Sequence, residues 1–442
     1  MASTTTKRWA YTEPRQFELE ALPLDGIRVL DFSHVWAGPF CARLLGDFGA
    51  EVIKVESVSR YDPERGPAKF IPGARMRLYP DGEPGERPYN RAGRFNSYNR
   101  SKIGLTLDLR SEDGKDLMRN LVEISDVVVE NFSVGVMKRL GLDYEKCRKL
   151  RPDIIFIALP GFGSDGPEAG YAAYGLTQEA MSGLSGITGY PGEVPIDTGV
   201  FYGDPTGGLF GATAVMTALW HRRITGEGQR IDLSQREAFA SILPELVFDY
   251  TMNDRVQESI GNRHPQFAPH GVYPCLGDDA WLAIAVKSDK QFRSLCEAIE
   301  HPTLANDLRY SSGSNRLQNQ DELDRIIGEW TRQQDQHEAM RLLQSQRIPA
   351  GAVLTNQQLL EDQHFEARGF FEEVTHPDVG TYRDIGMPWK LSDTPVHARL
   401  PAPGLGEHND NVLGEILGLT ADELCSLEER DVIGNVPLNT RE

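Results

Sequence analysis

Residues 26–56, which read GIRVLDFSHVWAGPFCARLLGDFGAEVIKVE, decide the fold class. The short apolar run Gly26–Phe32 contains β-branched residues and predicts a buried strand. Pro39 suits the first turn of a helix and Gly49 suits its end, so a helix is predicted between them. Glu51–Val55 predicts the next strand. A strand, a helix and a second strand within about thirty residues form a βαβ unit with parallel strands.

The same alternation continues along the chain. Further strands are predicted at Leu105–Leu109, Asp126–Glu130 and Ile154–Leu159, and a helix is predicted at Gly114–Ile124. Strands that alternate with helices in this way are typical of an α/β fold. They predict a doubly wound, mostly parallel sheet with helices on both faces.

At 442 residues the chain is too long for one compact core, and two domains are predicted. We expect an N-terminal arm at 1–23, a large domain over 24–245, a linker and small domain over 246–375, and a return of the chain to the large domain over 376–442. Residues 57–95 are rich in Pro, Gly and Arg and show no periodicity. They predict a long loop, and loops of this length in compact enzymes are usually functional or mobile.

The composition disfavours several classes of protein. Apolar residues make up 40% and charged residues 25%, as in a globular chain, and 46 basic against 65 acidic residues give a net charge of −19, unlike a nucleic-acid binder. We expect no membrane-spanning helix and no secretory signal. Five scattered cysteines without a CxxC pair predict free thiols in a reducing compartment, and hence a cytoplasmic protein. They are Cys41, Cys147, Cys275, Cys296 and Cys425.

The turn SHVWAGP (33–39) follows the first predicted strand, at the edge of the sheet where α/β proteins bind ligands. It contains one glycine rather than the GxGxxG pattern, which disfavours an ordinary dinucleotide site. Two interpretations of Trp36 stay open at this point. The indole either contacts a ligand or fills the edge of the sheet.

Asp204 lies in GDPTGG (203–208), between glycines that allow a substrate to approach closely. A strand is predicted to end just before it, and a helix is predicted from about Thr206. The helix dipole at that position favours the carboxylate anion. The side chain is therefore either a nucleophile toward an activated acyl group such as a thioester, or an ordinary helix N-cap.

Other polar groups give weaker indications. The histidines His34, His264 and His270 match no metal-site spacing, and Ser182 and Ser234 lack the GxSxG pattern of a hydrolase. We therefore expect no metal site and no hydrolase triad. Basic side chains that either receive phosphates or are simply solvated are Arg60, Arg65, Lys69, Arg75, Arg77, Lys102, Lys138 and Arg139.

Several blocks in fixed order resemble the family III coenzyme A transferases, the group that contains the formyl-CoA, carnitine and benzylsuccinate CoA-transferases. The resemblance covers nearly all residues from 24 to about 415, and its specificity comes from the ordered set rather than from any one block. The blocks are LDGIRVLDFSHVWAGPFCARLLGDFGAEVIKVE (24–56), NRSKIGLTLDLRSEDGKDLMRNLVEISDVVVENFSVGVMKRLGLDY (99–144), YGLTQEAMSGLSGITGYPG (174–192), the Gly-Asp pair at 203–204, TGEGQRIDLSQREA (225–238), GNRHPQFAPHGVYPC (261–275) and PAPGLGEHNDNVL (401–413).

This resemblance implies a Rossmann-like large domain, a smaller α/β domain, and two subunits threaded through each other as an interlocked dimer. A homodimer is expected, or a heteromer with a paralogue. The substrates implied are an acyl-CoA and a small carboxylic acid, with no tightly bound cofactor, no metal, no nucleic acid and no membrane partner.

The family's catalytic aspartate falls on Asp204. The resemblance implies that its carboxylate attacks the donor thioester to form an aspartyl anhydride, and that the CoA thiolate then forms an aspartyl-CoA thioester. The acceptor carboxylate forms a second anhydride, from which CoA takes the new acyl group. The CoA contacts implied by the resemblance are Trp36, Ala37, Lys102, Asn131, Phe132 and Arg139. The family often has arginine at the position of Ser57, and in this chain Arg60 follows three residues later. Residues expected to contact substrate or to shield the intermediates are His34, Tyr174, Gly203 and His270.

Two departures from related sequences narrow the function. Gly175 stands where the related acyl-CoA racemases carry an acid, so proton abstraction at Cα lacks one partner. Residues 262–271 replace the glycine-rich lid of formyl-CoA transferases with Pro and His, which disfavours an oxalate-specific role. The hypothesis is a CoA-transferase with succinyl-CoA as a possible donor. The alternatives are an acyl-CoA racemase or isomerase, and an inactive partner subunit of a heteromeric enzyme.

Overall fold

The computed structural model describes residues 22–69 and 79–440. The predicted N-terminal arm, apart from residues 22 and 23, and the loop arginines Arg75 and Arg77 lie outside the described residues. Over the described residues the chain forms two compact units. The first comprises residues 22–69, 79–182, 200–243 and 368–440, and the second comprises Gly183–Gly199 and Pro244–Ala367. The domain limits given by the sequence analysis stay predictions.

The strands and helices are named in chain order. The strands are β1 (Arg28–Asp31), β2 (Glu51–Glu56), β3 (Ile103–Thr106), β4 (Val127–Glu130), β5 (Ile155–Ala158), β6 (Arg230–Asp232), β7 (His270–Pro274), β8 (Trp281–Ala285), β9 (Ala350–Ala352), β10 (Phe371–His376) and β11 (Gly380–Ile385). The helices are α1 (Ala37–Asp47), α2 (Gly93–Asn99), α3 (Glu112–Glu123), α4 (Val136–Leu140), α5 (Tyr144–Leu150), α6 (Gly175–Ser182), α7 (Leu184–Ile187), α8 (Gly203–Thr225), α9 (Gln235–Ala240), α10 (Pro244–Asn253), α11 (Asp289–Ala298), α12 (Gly313–Gln318), α13 (Gln320–Thr331), α14 (Gln336–Ser345), α15 (Asn356–Leu360), α16 (Gln363–Arg368) and α17 (Ala421–Glu429), with a π-helix at Asp410–Ile416.

The first unit is built on a six-stranded sheet in the order β3-β2-β1-β4-β5-β6, in which all neighbouring strands are parallel. This is the strand order of a Rossmann-like fold, with the crossover between β1 and β4. The predicted α/β fold with a mostly parallel sheet is therefore confirmed.

Alternate residues of the sheet enter different cores, which is why its strands are apolar on both faces. In β1, Val29 joins a core with residues of α1 and α8, whereas Leu30 joins a core with residues of α3 and α17. Helices thus cover both sides of the sheet. The sheet is doubly wound, as predicted from the alternating strands and helices.

Glycines bring α1 and α8 into close contact. A Cβ atom on Gly208 would lie 2.7 Å from the carbonyl oxygen of Ala37 and 2.9 Å from the Phe40 ring, and one on Gly211 would lie 2.7 Å from Leu159. These distances are too short for a side chain. The glycines after Asp204 pack α8 against its neighbours, and their expected role in admitting a substrate stays a prediction.

The second unit is a smaller α/β body, as expected. Its three-stranded antiparallel sheet has the order β7-β8-β9 and packs against helices that include α11, α13 and α14. Leu282 and Ile284 of β8 are buried in that core. Among the described residues, no helix has the length and apolar character needed to cross a bilayer.

Candidate active site

The turn between β1 and α1 is fixed by side chains beneath it. The backbone N–H of His34 donates to Asn131 Oδ1 at 2.8 Å, and Asn131 Nδ2 donates to the His34 carbonyl at 2.7 Å. The Ser33 N–H donates to Asp31 Oδ1 at 3.0 Å. Gly38 has no room for a side chain, because a Cβ there would lie 2.2 Å from Ser33 Cβ. The sequence SHVWAG therefore specifies one tight conformation of this turn.

Asp204 lies in the first turn of α8, where the backbone amides of Ala37 and Gly175 lie close to its half-buried carboxylate and lower its pKa. Ala37 and Gly175 are the first residues of α1 and α6. Three helix N-termini therefore meet at this carboxylate, and their dipoles favour its ionised form. Burial has the larger effect and raises the pKa of Asp204 to about 6, while the two amides lower it and the charge of Glu64 adds to the rise.

Three expectations about the surroundings of Asp204 are wrong. The N-cap of α8 is Tyr202, so Asp204 does not cap its own helix and its carboxylate instead reaches the ends of two other helices. No strand precedes it, since the described residues 188–202 form turns and irregular backbone. The helix also begins at Gly203 rather than near Thr206.

Gly175 is packed against the carboxylate. A Cβ atom on Gly175 would lie 2.4 Å from Asp204 Oδ2 and 2.4 Å from Phe201 Cβ. Any other residue at this position would displace the carboxylate or the backbone of Phe201. Gly175 stands where the related racemases carry an acid, and the structure adds a steric reason for glycine at this position.

Trp36 and Tyr98 form an aromatic pair beside Asp204. Their rings stack with centroids 4.9 Å apart at an angle of 7°. Burial raises the pKa of the Tyr98 hydroxyl to about 12, and the nearby negative charges of Glu64 and Asp204 contribute to the rise. Trp36 thus packs on α2. Sequence reasoning missed Tyr98 because nothing in the local pattern connects α2 with the turn after β1.

Two of the expected CoA contacts lie under the turn. The buried Lys102 ammonium donates to Asp31 Oδ2 at 2.7 Å, to the Pro39 carbonyl at 2.9 Å and to Asn99 Oδ1 at 2.9 Å. Burial lowers its pKa to about 8 despite the attraction of Asp31. Lys102 and Asn131 therefore stabilise the backbone that carries Trp36 and Ala37.

A cavity of about 610 Å³ opens at the carboxyl ends of β4 and β5. Phe132 lies on its wall and meets the His34 ring edge-on, with centroids 5.4 Å apart, so the cavity adjoins the turn after β1. Its charged lining residues are Glu130, Lys138, Asp143, Glu145, Lys146 and Arg230. Arg139 is exposed on the same short helix as Lys138.

Glu130 at the floor of this cavity is almost fully buried, and one of its oxygens accepts the Phe132 N–H at 2.8 Å. Burial raises its pKa to about 7. Sequence reasoning missed Glu130, Lys146 and Arg230. Glu130 is the last residue of β4, Lys146 lies in α5 and Arg230 is the first residue of β6, so only the way the sheet brings these elements together could have indicated them.

The remaining predicted residues occupy different surroundings. His34 is half-buried, and burial lowers its pKa. Tyr174 is exposed beside Gly175, and its backbone N–H donates to Thr177 Oγ1 at 2.9 Å. Gly203 is buried, and a Cβ there would lie 2.3 Å from Gln178 Oε1. Arg60 is exposed, and its N–H donates to Ser57 Oγ at 3.0 Å. His270 begins β7 in the second unit, and its Nδ1 donates to the Asn262 carbonyl at 2.7 Å.

The other groups considered from sequence have local roles. Ser234 Oγ accepts the Glu237 N–H at 3.2 Å and caps α9, while Ser182 Oγ donates to the Glu179 carbonyl at 3.0 Å. In the part of the chain that the structure describes, no group of three or more His, Cys, Asp or Glu side chains is placed to hold a metal ion.

Comparison with known proteins identifies the family of this chain. The family model of CoA-transferase family III matches residues 24–409. The chain belongs to CoA-transferase family III and is an enzyme of that class, which confirms the resemblance found in the sequence blocks. The matches support CoA transfer as the reaction.

Individual relatives match over nearly the whole chain. The chain is 34% identical over 411 residues to the succinyl-CoA–D-citramalate CoA-transferase of Chloroflexus aurantiacus, covering 93% of this chain and 98% of the relative. It is 34% identical over 396 residues to the succinate–glutarate CoA-transferase of Agrobacterium fabrum, covering 89% and 96%. A CAIB/BAIF family protein from Brucella suis has a crystal structure with a TM-score of 0.79 and 32% identity over 90% of this chain and 100% of that one.

Proposed function

We propose that this enzyme moves CoA from an acyl-CoA donor to a carboxylic acid acceptor, with Asp204 as the nucleophile. The observation that supports the proposal best is the carboxylate of Asp204 between the amides of Ala37 and Gly175 at three helix N-termini. When the thiolate of CoA attacks the Asp204 carbonyl carbon, negative charge develops on a carboxyl oxygen of Asp204. The same two amides would then stabilise that oxyanion.

The proposed reaction has four balanced steps. An Asp204 oxygen attacks the donor thioester carbonyl, the C–S bond breaks, and an anhydride and CoA thiolate form. The thiolate attacks the aspartyl carbonyl carbon and releases the donor acid, which leaves an aspartyl-CoA thioester. The acceptor carboxylate attacks that thioester, releases the thiolate and forms a second anhydride. The thiolate then attacks the acceptor acyl carbon, which yields the new acyl-CoA and frees the Asp204 carboxylate.

We place CoA along the edge of the parallel sheet. Its thiol end would lie at Trp36 and Ala37, and its chain would pass Phe132 into the cavity after β4 and β5. The exposed cations Lys138, Lys146 and Arg230 on the cavity wall, together with Arg139 and Arg60, offer partners for its phosphates. Lys102 and Asn131 serve this site by fixing the turn. CoA is thus a substrate here, and the proposed chemistry needs no further cofactor.

A dicarboxylic acyl group suits the surroundings of Asp204. Arg94 lies one helical turn before Tyr98 on α2, its side chain is 55% exposed, and its guanidinium is 3.9 Å from Glu64. A guanidinium so placed is a partner for the distal carboxylate of a dicarboxylic acid. The names of relatives from Chloroflexus aurantiacus and Agrobacterium fabrum refer to succinyl-CoA and to succinate. We propose succinyl-CoA as the donor and a second dicarboxylic acid as the acceptor.

We also propose that the enzyme acts as a dimer, interlocked as the family resemblance implies. Large apolar side chains are exposed on α8, namely Leu209, Phe210, Trp220 and Ile224, and on α10, namely Val247, Phe248, Tyr250 and Met252. Exposed apolar residues of this number are typical of interaction surfaces. The second subunit is either another copy or a paralogue, since some relatives are named alpha subunits.

Covalent trapping tests the proposed function. The purified chain, alone with succinyl-CoA and hydroxylamine, is expected to carry a hydroxamate on Asp204, because hydroxylamine attacks an anhydride or a thioester at its carbonyl carbon. Mass spectrometry of the fragment that holds Asp204 locates the label. The exposed carboxylate of Asp197 lies in the same stretch, so Asp197→Ala is the matched control and is expected to leave labelling intact.

Three outcomes of that experiment, and one outcome of an isotope-exchange experiment, would contradict the proposal. Label on Asp197 alone would identify Asp197, rather than Asp204, as the nucleophile. No label despite turnover would exclude an enzyme-linked intermediate. An unlabelled and inactive chain that becomes active only with a paralogue would support an inactive partner subunit. Exchange of deuterium at Cα of the acyl group without CoA transfer would support the racemase alternative.

The rate is expected to depend on pH through Asp204. The nucleophile must be ionised, so kcat/KM should rise with pH, by about tenfold per unit in the acidic range, and level off above a pKa of about 6. Burial raises this pKa above that of an ordinary aspartate, so the rising part of the pH–rate profile lies at a correspondingly higher pH. Initial rates from pH 5 to 8, at subsaturating donor, measure it. A rate that is flat or falls over this range would be inconsistent with an Asp204 nucleophile of raised pKa.

A further inference from the structure

Val35 has a backbone conformation that is unusual for its side chain. Its φ is +72°, in the left-handed region that β-branched residues rarely adopt. Val35 lies in the turn between β1 and α1, two residues before Ala37. Because this conformation is unfavourable, surrounding contacts must maintain it.

Asp62 supplies the contact to Val35. Its Oδ1 accepts the Val35 N–H at 3.1 Å and the Glu64 N–H at 3.0 Å, and its Oδ2 accepts the Lys54 ammonium at 2.9 Å. Lys54 also donates to the carbonyl of Ser33. Asp62 and Lys54 are fully buried. This buried ion pair therefore bonds to the turn at two points, on either side of His34.

Asp62 belongs to the start of the segment 57–95, which the sequence predicts to be a long loop. Its own N–H donates to Glu56 Oε1 at 2.9 Å, and Glu56 in turn forms a buried ion pair with Arg65 at 2.7 Å. The start of the segment is thus fixed independently of the turn. Through its hydrogen bond to the Val35 N–H, Asp62 therefore holds Val35 in place relative to the start of this segment.

We propose that Asp62 is a positioning residue for CoA transfer, because it holds the strained turn at Val35 that aims the Ala37 amide at the Asp204 carboxylate. The inference rests on the proposed function, in which that amide stabilises the oxyanion on Asp204. Without Asp62, Val35 is expected to relax to a negative φ. The Ala37 amide would then turn away from Asp204, while the CoA cavity after β4 and β5 would be untouched.

Kinetics of Asp62→Ala test the inference. We expect kcat to fall about 100-fold, the loss typical of one oxyanion donor, with KM for succinyl-CoA within about threefold of wild type. Asp62→Asn keeps an acceptor for the Val35 N–H but presents an amide to Lys54. Its kcat should therefore lie between those of the wild type and Asp62→Ala, and it replaces the alanine variant in the test if that variant does not fold. Asp47→Asn removes another fully buried aspartate, paired with Arg100 at the far end of α1, and is expected to leave kcat unchanged.

Rescue distinguishes positioning from general stability. Glycine adopts a φ of +72° without help, so Val35→Gly added to Asp62→Ala is expected to recover at least about tenfold in kcat. A kcat for folded Asp62→Ala close to wild type, equal losses in Asp47→Asn, or no recovery with Val35→Gly would each overturn the inference. Hydroxylamine trapping in the wild type is carried out before the kinetics of the Asp62 variants are interpreted. If Asp204 is labelled there, a normal Asp62 variant refutes this inference alone, and if Asp204 is not labelled the proposed function itself fails.

Discussion

Asp204→Ala is expected to lower the rate of CoA transfer by at least about 10⁴-fold, because the variant has no carboxylate to form either anhydride or the CoA thioester. The two amides and the CoA cavity remain in place, but the reaction loses its covalent route. The rate is measured by the formation of a new acyl-CoA from succinyl-CoA and a dicarboxylic acceptor.

The loss should not result from unfolding. The folded-state pKa of Asp204, about 6, lies above its ordinary value, so its native carboxylate binds a proton more readily than the unfolded one. Its ionised form therefore costs stability, and that cost grows as the pH rises from the ordinary aspartate range through about 6. Removal of the carboxylate is expected to leave the melting temperature at pH 8 unchanged or higher.

The controls for this variant are CoA binding and Asp197→Ala. Calorimetry should give a Kd for CoA close to that of wild type, since Asp204 lies beyond the proposed thiol end of the ligand. Asp197→Ala should transfer CoA at the wild-type rate. Transfer by Asp204→Ala within tenfold of wild type would refute the nucleophile assignment.

Gly175→Ala is expected to reduce kcat by about 100-fold, the effect of displacing a reacting group by about an ångström. The added Cβ would lie 2.4 Å from Asp204 Oδ2 and 2.4 Å from Phe201 Cβ, and so must move the carboxylate or the chain beside it. Its φ is not in the left-handed region, so the effect comes from space rather than from backbone strain. Steady-state kinetics at saturating donor measure the change in kcat.

Gly170→Ala is the matched control for that substitution. It lies in the same unit, its φ is also outside the left-handed region, and a Cβ there would have nothing within 4 Å. We expect Gly170→Ala to keep the wild-type kcat and melting temperature. A Gly175→Ala enzyme that is as active as the Gly170→Ala enzyme would show that the close packing at Asp204 has no part in catalysis.

The parallel sheet could be predicted from sequence because the signals for its strands and helices lie within short stretches of the chain. Residues 26–56 contain apolar strands, a proline at a helix start and a glycine at its end, and each of these acts within a few residues. The α/β class follows from their repetition. The prediction of a strand before Asp204 was wrong because a strand depends on a distant pairing partner, which the local pattern does not reveal. Residues 188–202 contain β-branched residues but form no strand.

The position of Asp204 near a helix N-terminus could be predicted from sequence, whereas the contacts of the candidate site could not. Asp204 is found where a helix N-terminus favours an anion, but the amides of Ala37 and Gly175 reach it from two other parts of the chain. Charge type alone suggested that Lys102 meets a phosphate. Its pairing with Asp31, which lies 71 residues away, cannot be read from the pattern around either residue.

The glycine contact between α1 and α8 has a consequence for turnover. Gly208 allows the backbone of α8 to touch the carbonyl of Ala37, so the helix that carries the proposed nucleophile packs directly against the helix whose first amide lies near the Asp204 carboxylate. The proposed cycle takes the same carboxyl carbon through two anhydrides and one thioester. With these two helices packed together, this part of the enzyme need not rearrange as one covalent state replaces another, and the conformational freedom that substrate exchange requires is left to the surrounding loops.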